Sequence, residues 1–472
     1  MRHISLLLLL SLCVVSCGNK EARQQTEELP DIFPNYINVT VPCNIAPLNF
    51  MIKNAHEIMA EIELPTGEHK VFGSGKYVNI PLKEWQDILR LSRGKDIEII
   101  VSQWDDKHPE GIKYKPFTIH ISEDVIDPWV AYRLIPPGYE NFKDMGIYER
   151  QLTSFEQEPI IVNKQNNKGC LNCHSFANYN PENFMFHARG KNGGTVICHN
   201  GKIEKREIKK DMIMSATYNY WHPSSDYIAF TANITRQSFY GHSRDKIEVY
   251  DMSSDLFIYD VNNGKIIIDE RFNDSINWET FPSFTPDGKT LYFCTAKAVR
   301  MPMEFAKLRY SIVRTSFNAD GTLGETIDTV YSASAQGGSA LTPRISPDGK
   351  YMMFALADCG AFHIHHKEAD LKMVNLETGE MIPTDVLNTD DVESYHSWSS
   401  NGKWVIFSSK RVDTRYTRLF VTHWDGKAFT KPFMIPAKNP ENDIRLLYSY
   451  NIPEFIKQPV EISKDKIADL FQ

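Results

Sequence analysis

The sequence contains no glycine-rich phosphate loop of the G-x-x-x-x-G-K-[ST] kind and no G-x-S-x-G turn, so neither phosphoryl transfer nor a serine-hydrolase nucleophile is indicated. It has no basic stripe and no nucleic-acid module, and its formal net charge is -8, which leaves DNA and RNA out as expected partners. Beyond the first residues there is no second long apolar run, so no transmembrane helix is expected in the body of the chain. Cysteine is scarce, eight in 472 residues, and only one C-x-x-C pair occurs. A zinc site built from two such pairs, or from a pair and a spaced histidine pair, is therefore not indicated.

What is present begins with targeting. Arg2 and His3 form a short basic start, and Ile4 to Val15 is an apolar run too short for a permanent bilayer span, which fits a secretory signal. The run ends Val14-Val15-Ser16-Cys17-Gly18 and resembles the lipobox of bacterial lipoproteins. That resemblance implies a signal peptide over 1–16, a lipidated Cys17 and an anchored protein of the cell envelope. Because Gly18 is not the aspartate associated with inner-membrane retention, the outer membrane is the expected site. Residues 17–30 are polar and charged and read as a tether.

The C-x-x-C pair lies in Gly169-Cys170-Leu171-Asn172-Cys173-His174-Ser175. C-x-x-C-H is the attachment signature of c-type haem: two thiols, one helical turn apart, form thioethers with the porphyrin, and the adjacent histidine ligates the iron. Attachment outside the cytoplasm agrees with the signal sequence. A redox dithiol expects a thioredoxin-like βαβ setting, which is not visible here. One haem c is thus the expected cofactor, held by Cys170, Cys173 and His174. If Phe184-Met185-Phe186-His187 is a strand, Met185 and His187 share one face, and either is a candidate sixth ligand; Met145, His199 and His222 are further candidates. Cys43, Cys198, Cys294 and Cys359 are far apart and read as small buried apolar residues rather than as disulfide partners.

The pattern divides the chain. Residues 31–124 alternate in short β-rich runs with turn signals, with one helix expected at Leu82 to Leu91, and suggest an Ig-like β-sandwich. Residues 125–182 are dense in proline and aromatics, with a short helix expected over Met145 to Arg150, and form the expected haem-attachment segment. From 183 to 472 one unit recurs: a turn followed by a buried strand, as in Phe284-Thr285-Pro286-Asp287-Gly288-Lys289 to Phe293, Ile345-Ser346-Pro347-Asp348-Gly349-Lys350 to Phe354, and Trp398-Ser399-Ser400-Asn401-Gly402-Lys403 to Phe407. A looser copy spans Trp221 to Phe230, and Phe184 to Ile208 reads as a degenerate one. These motifs resemble the TolB-like, WD40-like β-propeller repeats, whose mark is a Ser-Pro-Asp-Gly-Lys turn before a strand ending in Phe. The resemblance implies a propeller of five or six blades, six being the expected number, which Tyr450 to Phe455 would close. The fold class is accordingly all-β. The whole chain is similar to lipoproteins that join one C-x-x-C-H motif to TolB-like repeats, a likeness that brings no activity with it.

Two other constellations stand out. Phe362-His363-Ile364-His365-His366-Lys367, on a loop inside a blade, is a candidate metal site, with His363 and His365 on one face if the loop is extended. Asn388 to Glu393 is an acidic run of the kind that sometimes binds calcium. Three functions remain open at this stage: an electron carrier with the propeller as docking platform for an exported redox or envelope partner, a haem enzyme with an open iron position, and a non-redox TolB-like interaction or transport propeller.

Overall fold

In a computed structural model of the chain, the described residues are 21–73, 75–136, 144–209, 215–240 and 247–472. The expected signal segment, the lipobox-like run and Cys17 lie outside them. No described helix is long and apolar enough to cross a membrane.

The body of the molecule is a ring of six four-stranded antiparallel sheets. Blade 2 is Leu171–Ala177, Asn180–Ala188, Gly194–His199 and Lys202–Arg206. Blades 3 to 6 follow in the same up-and-down order, with innermost strands Ala216–Trp221, Asn277–Phe284, Ser339–Ile345 and Glu393–Trp398. Blade 1 is composite. Its outer three strands are Trp129–Ile135, Gly146–Gln151 and Gln157–Val162, and its innermost strand is Ser449–Ile456, antiparallel to the first of these. The six innermost strands neighbour one another around a common axis. The repeated turns work as their residues suggest: Ser346 Oγ bonds the Asp348 carboxylate and accepts from Tyr351 N at 3.0 Å. Gly349, Gly288 and Gly402 sit at φ 74°, 70° and 68°, the left-handed region that a Cβ disfavours.

The segment 125–182 is therefore not a separate unit between sandwich and propeller. Its first strands belong to blade 1 and its last strand is the innermost one of blade 2, so the propeller begins near residue 129 rather than 183. Residues 146–151, expected as a short helix, are a strand, because they pair on both sides with neighbours of their own blade.

Residues 31–124 form a seven-stranded sheet and a three-stranded sheet, with the helix Leu82–Ser92 where it was expected. Glu57–Glu63 alternates half-buried and buried, as a strand with one covered face must. The expected tether does not hang free over its described part: Gln24–Gln25 adds a parallel strand beside Ile112–Lys113. The N-terminal core runs without a break into blades 6 and 1, joining Val41, Ile119 and Ile121 to Trp404, Ile406, Leu419, Val130 and Tyr132. Polar contacts fix that seam. The Asp127 carboxylate accepts from Ser400 N at 2.6 Å and Ser400 Oγ at 2.7 Å, and His423 pairs with Asp124 at 2.8 Å.

Ile456, fully buried between blades 1 and 2 with Ala131, Leu171 and Phe186, tests the closure. Ile456→Ala is expected to cost about 2–5 kcal/mol. Ile268→Ala, on the exposed outermost strand of blade 3, should stay within about 0.5 kcal/mol of the parent. Urea unfolding midpoints of the two variants check the contrast.

Candidate functional site on the propeller axis

Each innermost strand carries a register shift at the same place, and that of blade 2 a second one at Phe176/Ala177. The residues there align as a four-residue repeat: Cys173-His174-Ser175-Phe176, Tyr218-Asn219-Tyr220-Trp221, Phe281-Pro282-Ser283-Phe284, Thr342-Pro343-Arg344-Ile345, Tyr395-His396-Ser397-Trp398 and Ile452-Pro453-Glu454-Phe455. In five of the six blades the first residue takes positive φ: Cys173 50°, Phe281 48°, Thr342 54°, Tyr395 34°, Ile452 51°. Such a conformation costs a non-glycine residue about 1 kcal/mol or more and persists only where the surroundings impose it. Here it inserts an extra residue and re-aims the first side chain, as bulges do. The Tyr218 ring stacks on Phe281 at 4.2 Å, and Phe362 reaches it from blade 5 at 5.8 Å. These first residues thus fill the axis.

Cys173 occupies this ring position in blade 2. The spacing of the two cysteines is set by an extended strand with a bulge, not by the helical turn expected from the motif. Asn172 pairs with His187 and Ser175 with Met185, so Cys173 and His174 together oppose the single Phe186. Cys170 is 8% exposed and Cys173 5%, and both are free thiols. Burial pushes the Cys173 thiol up to about 11 against the pull of Arg189 and Arg133. That is the opposite of the lowered pKa that a reactive dithiol needs. His174 is 3% exposed, and its ring nitrogens lie near the Ile452 and Ala131 backbone without a hydrogen bond of full geometry. Burial, with Arg133 nearby, depresses it to about 3, and the carbonyls of Ile452 and Ala131 on blade 1 oppose that only in part. The imidazole is neutral at ordinary pH. Arg133 also donates to the Asn172 amide oxygen, which in turn accepts from Cys173 N at 3.0 Å.

The repeat explains part of the motif. His174 stands where blade 6 has His396, also buried with both ring nitrogens lacking a hydrogen bond of full geometry. Position in the fold therefore accounts for a histidine at 174. It does not account for the thiols, since no other innermost strand of the propeller holds a cysteine.

Met185 and His187 do share a face, but it is the other one. Met185 packs with Ile228 and Phe230 between blades 2 and 3. Both His187 nitrogens are engaged, one with Thr195 Oγ1 at 3.0 Å and one with the Thr217 carbonyl at 2.8 Å. His174 is turned instead towards blade 1, so neither candidate sixth ligand is brought to it. His222 is held between Ser224 and the Gly288 carbonyl, and His199 contacts the Asn200 amide. Met145 is buried just ahead of the second strand of blade 1.

The histidine loop lies at the same end of the axis as Cys170, between the second and third strands of blade 5. It is not extended: His363–His365 is a single 3₁₀ turn. His366 Nε2 lies 3.1 Å from Glu248 and its Nδ1 3.6 Å from Glu368. No group of three metal-ligating side chains gathers among the described residues. The acidic run is used internally: Glu393 is fully buried and binds Arg411, Ser409 and Thr389. Of the other cysteines, Cys198 and Cys294 are buried and Cys43 and Cys359 half-buried, all as free thiols.

No protein-family model matches the chain, and no curated protein matches it. Among solved structures it is similar to hydrazine synthase of Kuenenia stuttgartiensis, at 12% identity and TM-score 0.45, over 71% of this chain and 48% of that one. It is similar to an oligogalacturonate lyase in complex with manganese at 14% identity and TM-score 0.37, over 61% and 70%. A third is the β-propeller domain of the Trilobed protease from Pyrococcus furiosus, at 13% and 0.35, over 74% and 97%. The chain spans about half the length of the hydrazine synthase chain.

The His366 cluster generates a pH prediction. Although burial opposes it, the Glu248 and Glu368 carboxylates raise His366 to about 9, and Glu368 is lowered to about 2. A raised histidine stabilises fully below its unfolded value of about 6.5 and loses that contribution as pH rises through the folded value. A lowered carboxylate loses its contribution as pH falls towards about 2. The stability difference between the parent and His366→Gln should therefore be largest between about pH 4.5 and 6.5 and vanish above about pH 9. Thermal melts of both proteins across that range measure it.

Proposed function

We propose that the chain is a mono-haem c-type protein on a propeller scaffold that passes electrons to an exported partner. One observation carries the reading: two free buried thiols and a buried neutral imidazole stand within five residues at the start of a single strand. The donor set suits the group, since a neutral imidazole is the iron-binding form and the thiols are unspent. Cys170 and Cys173 would hold the porphyrin and His174 would face its iron. When bound, the group supplies one-electron redox chemistry.

The chain's own residues set the surroundings. Arg133 and Arg189 lie close enough to Cys173 to pull on its charge, and positive charge there favours an anionic macrocycle and the reduced state. Phe362, from the blade 5 loop, and Tyr218 wall the axis and keep water from this end. The anchored setting expected from residues 1–17 belongs to the same proposal, and the partner would be another envelope protein.

A haem-free propeller is the second reading, and the match of His174 with His396 favours it. The two are separated by expressing the chain with a c-type maturation system and recording a pyridine haemochrome spectrum. Covalent haem at one equivalent, lost in Cys170→Ala plus Cys173→Ala, is expected. His174→Ala should alter the iron's spin state, while His396→Ala, at the same blade position, should leave the spectrum unchanged. No covalent haem, or equal effects of the two histidine variants, overturns the proposal.

A further inference from the structure

At the end of the axis away from Cys170 there is a cavity of about 240 Å³, lined by all six blades. Its wall is the third position of the repeat: Ser175, Tyr220, Arg344, Ser397 and Glu454, two residues beyond the ring that plugs the axis. The turns at Pro286, Pro347 and Ser400 form the rim.

Three charged side chains line this space, Arg344, Glu454 and Lys457, the last with its Nζ over the Tyr179 ring at 5.8 Å, and Arg344 and Glu454 do not meet. The Arg344 guanidinium stacks over the Tyr220 ring at 4.8 Å, two blades away, and donates only to the carbonyl of its neighbour Pro343 at 2.9 Å. It has no ion-pair partner among the described residues. The Glu454 Oε2 accepts from Phe176 N at 3.0 Å. Its other oxygen has no described hydrogen bond. Burial raises this carboxyl to about 7, with Arg344 and the Phe176 N–H pulling the other way. Both side chains are half-buried and turn polar atoms to the cavity that no described ion pair engages, so a ligand carrying both charges could bridge them.

We propose that this cavity binds a small zwitterion of the amino-acid class, its carboxylate on Arg344 and its ammonium on Glu454. Arg344 offers a planar fork matched to a carboxylate. Glu454, beside Ser175 and Ser397, offers acceptors to an ammonium group. The aromatic wall of Tyr220, Trp221 and Trp398 suits both an apolar side chain and a cation. A single-charged ligand would engage one end and leave the other unpaired. The proposal is independent of the haem reading, because none of Cys170, Cys173 and His174 lines the cavity.

Titration calorimetry of the full chain with leucine and phenylalanine tests it, against 3-methylbutylamine, 4-methylpentanoate, phenethylamine and 3-phenylpropanoate. These match the amino acids but lack one charge. At least one amino acid should bind at millimolar concentration or below, and its two analogues should bind at least tenfold more weakly. Arg344→Met, shown folded by its thermal melt, should lose binding, and Cys170→Ala plus Cys173→Ala should keep it. Absence of heat with both amino acids, or analogues that bind as well as their parent, overturns the proposal on the unmodified protein alone. Unchanged binding in a folded Arg344→Met protein overturns it too.

Discussion

Everything on the axis depends on one pairing. Ser449–Ile456 lies antiparallel to Trp129–Ile135, more than 300 residues earlier in the chain, and completes blade 1 from the inside. Without that strand blade 1 would present a bare inner edge and the ring would have a gap, with Ile456 and Phe455 losing their places in two separate cores. Closing the ring removes the exposed edge, and buried neighbours on both sides hold the strand against the loop-closure entropy of so long a connection. The tail beyond it continues the clamp, with Ile467 and Phe471 packed over the junction of blades 1 and 2.

Closure also forces the inner strands together, and the bulge repeat is the answer to that crowding. Six strands converging on one axis leave room for one inward side chain each, and the first residue of the repeat supplies it, at positive φ in five of the six blades. The tyrosines and phenylalanine at 218, 281 and 395 fill the centre. Cys173 has the smallest side chain of the ring. The same geometry places the next polar position, from Ser175 round to Glu454, in a second layer around an open space. One strain, repeated, thus builds both an occupied layer and a hollow one.

The blades were legible where the chemistry is local. Each of these turns needs its own glycine in the left-handed region and its own Asp carboxylate or Asn amide oxygen as acceptor, so the turns at 285–289, 346–350 and 399–403 declare themselves. The helix at 82–92 was legible for the same reason. Residues 129–162 were not, because three strands with no innermost partner nearby do not look like a blade. The four-residue repeat was within reach: Phe281-Pro282-Ser283-Phe284 and Tyr395-His396-Ser397-Trp398 run directly into their turns, and aligning them would have set Cys173-His174-Ser175-Phe176 beside them.

The sequence by itself determined the hairpin turns, the β character of the whole body and the presence of two thiols and an imidazole in one short segment, because each follows from residues adjacent in the chain. Only the tertiary structure decided that these thiols lie on the innermost strand of a blade, that Met185 and His187 face away from His174, and that Arg344 and Glu454 look into one cavity. Those facts are relations between strands brought together by ring closure, and no stretch of chain contains both partners.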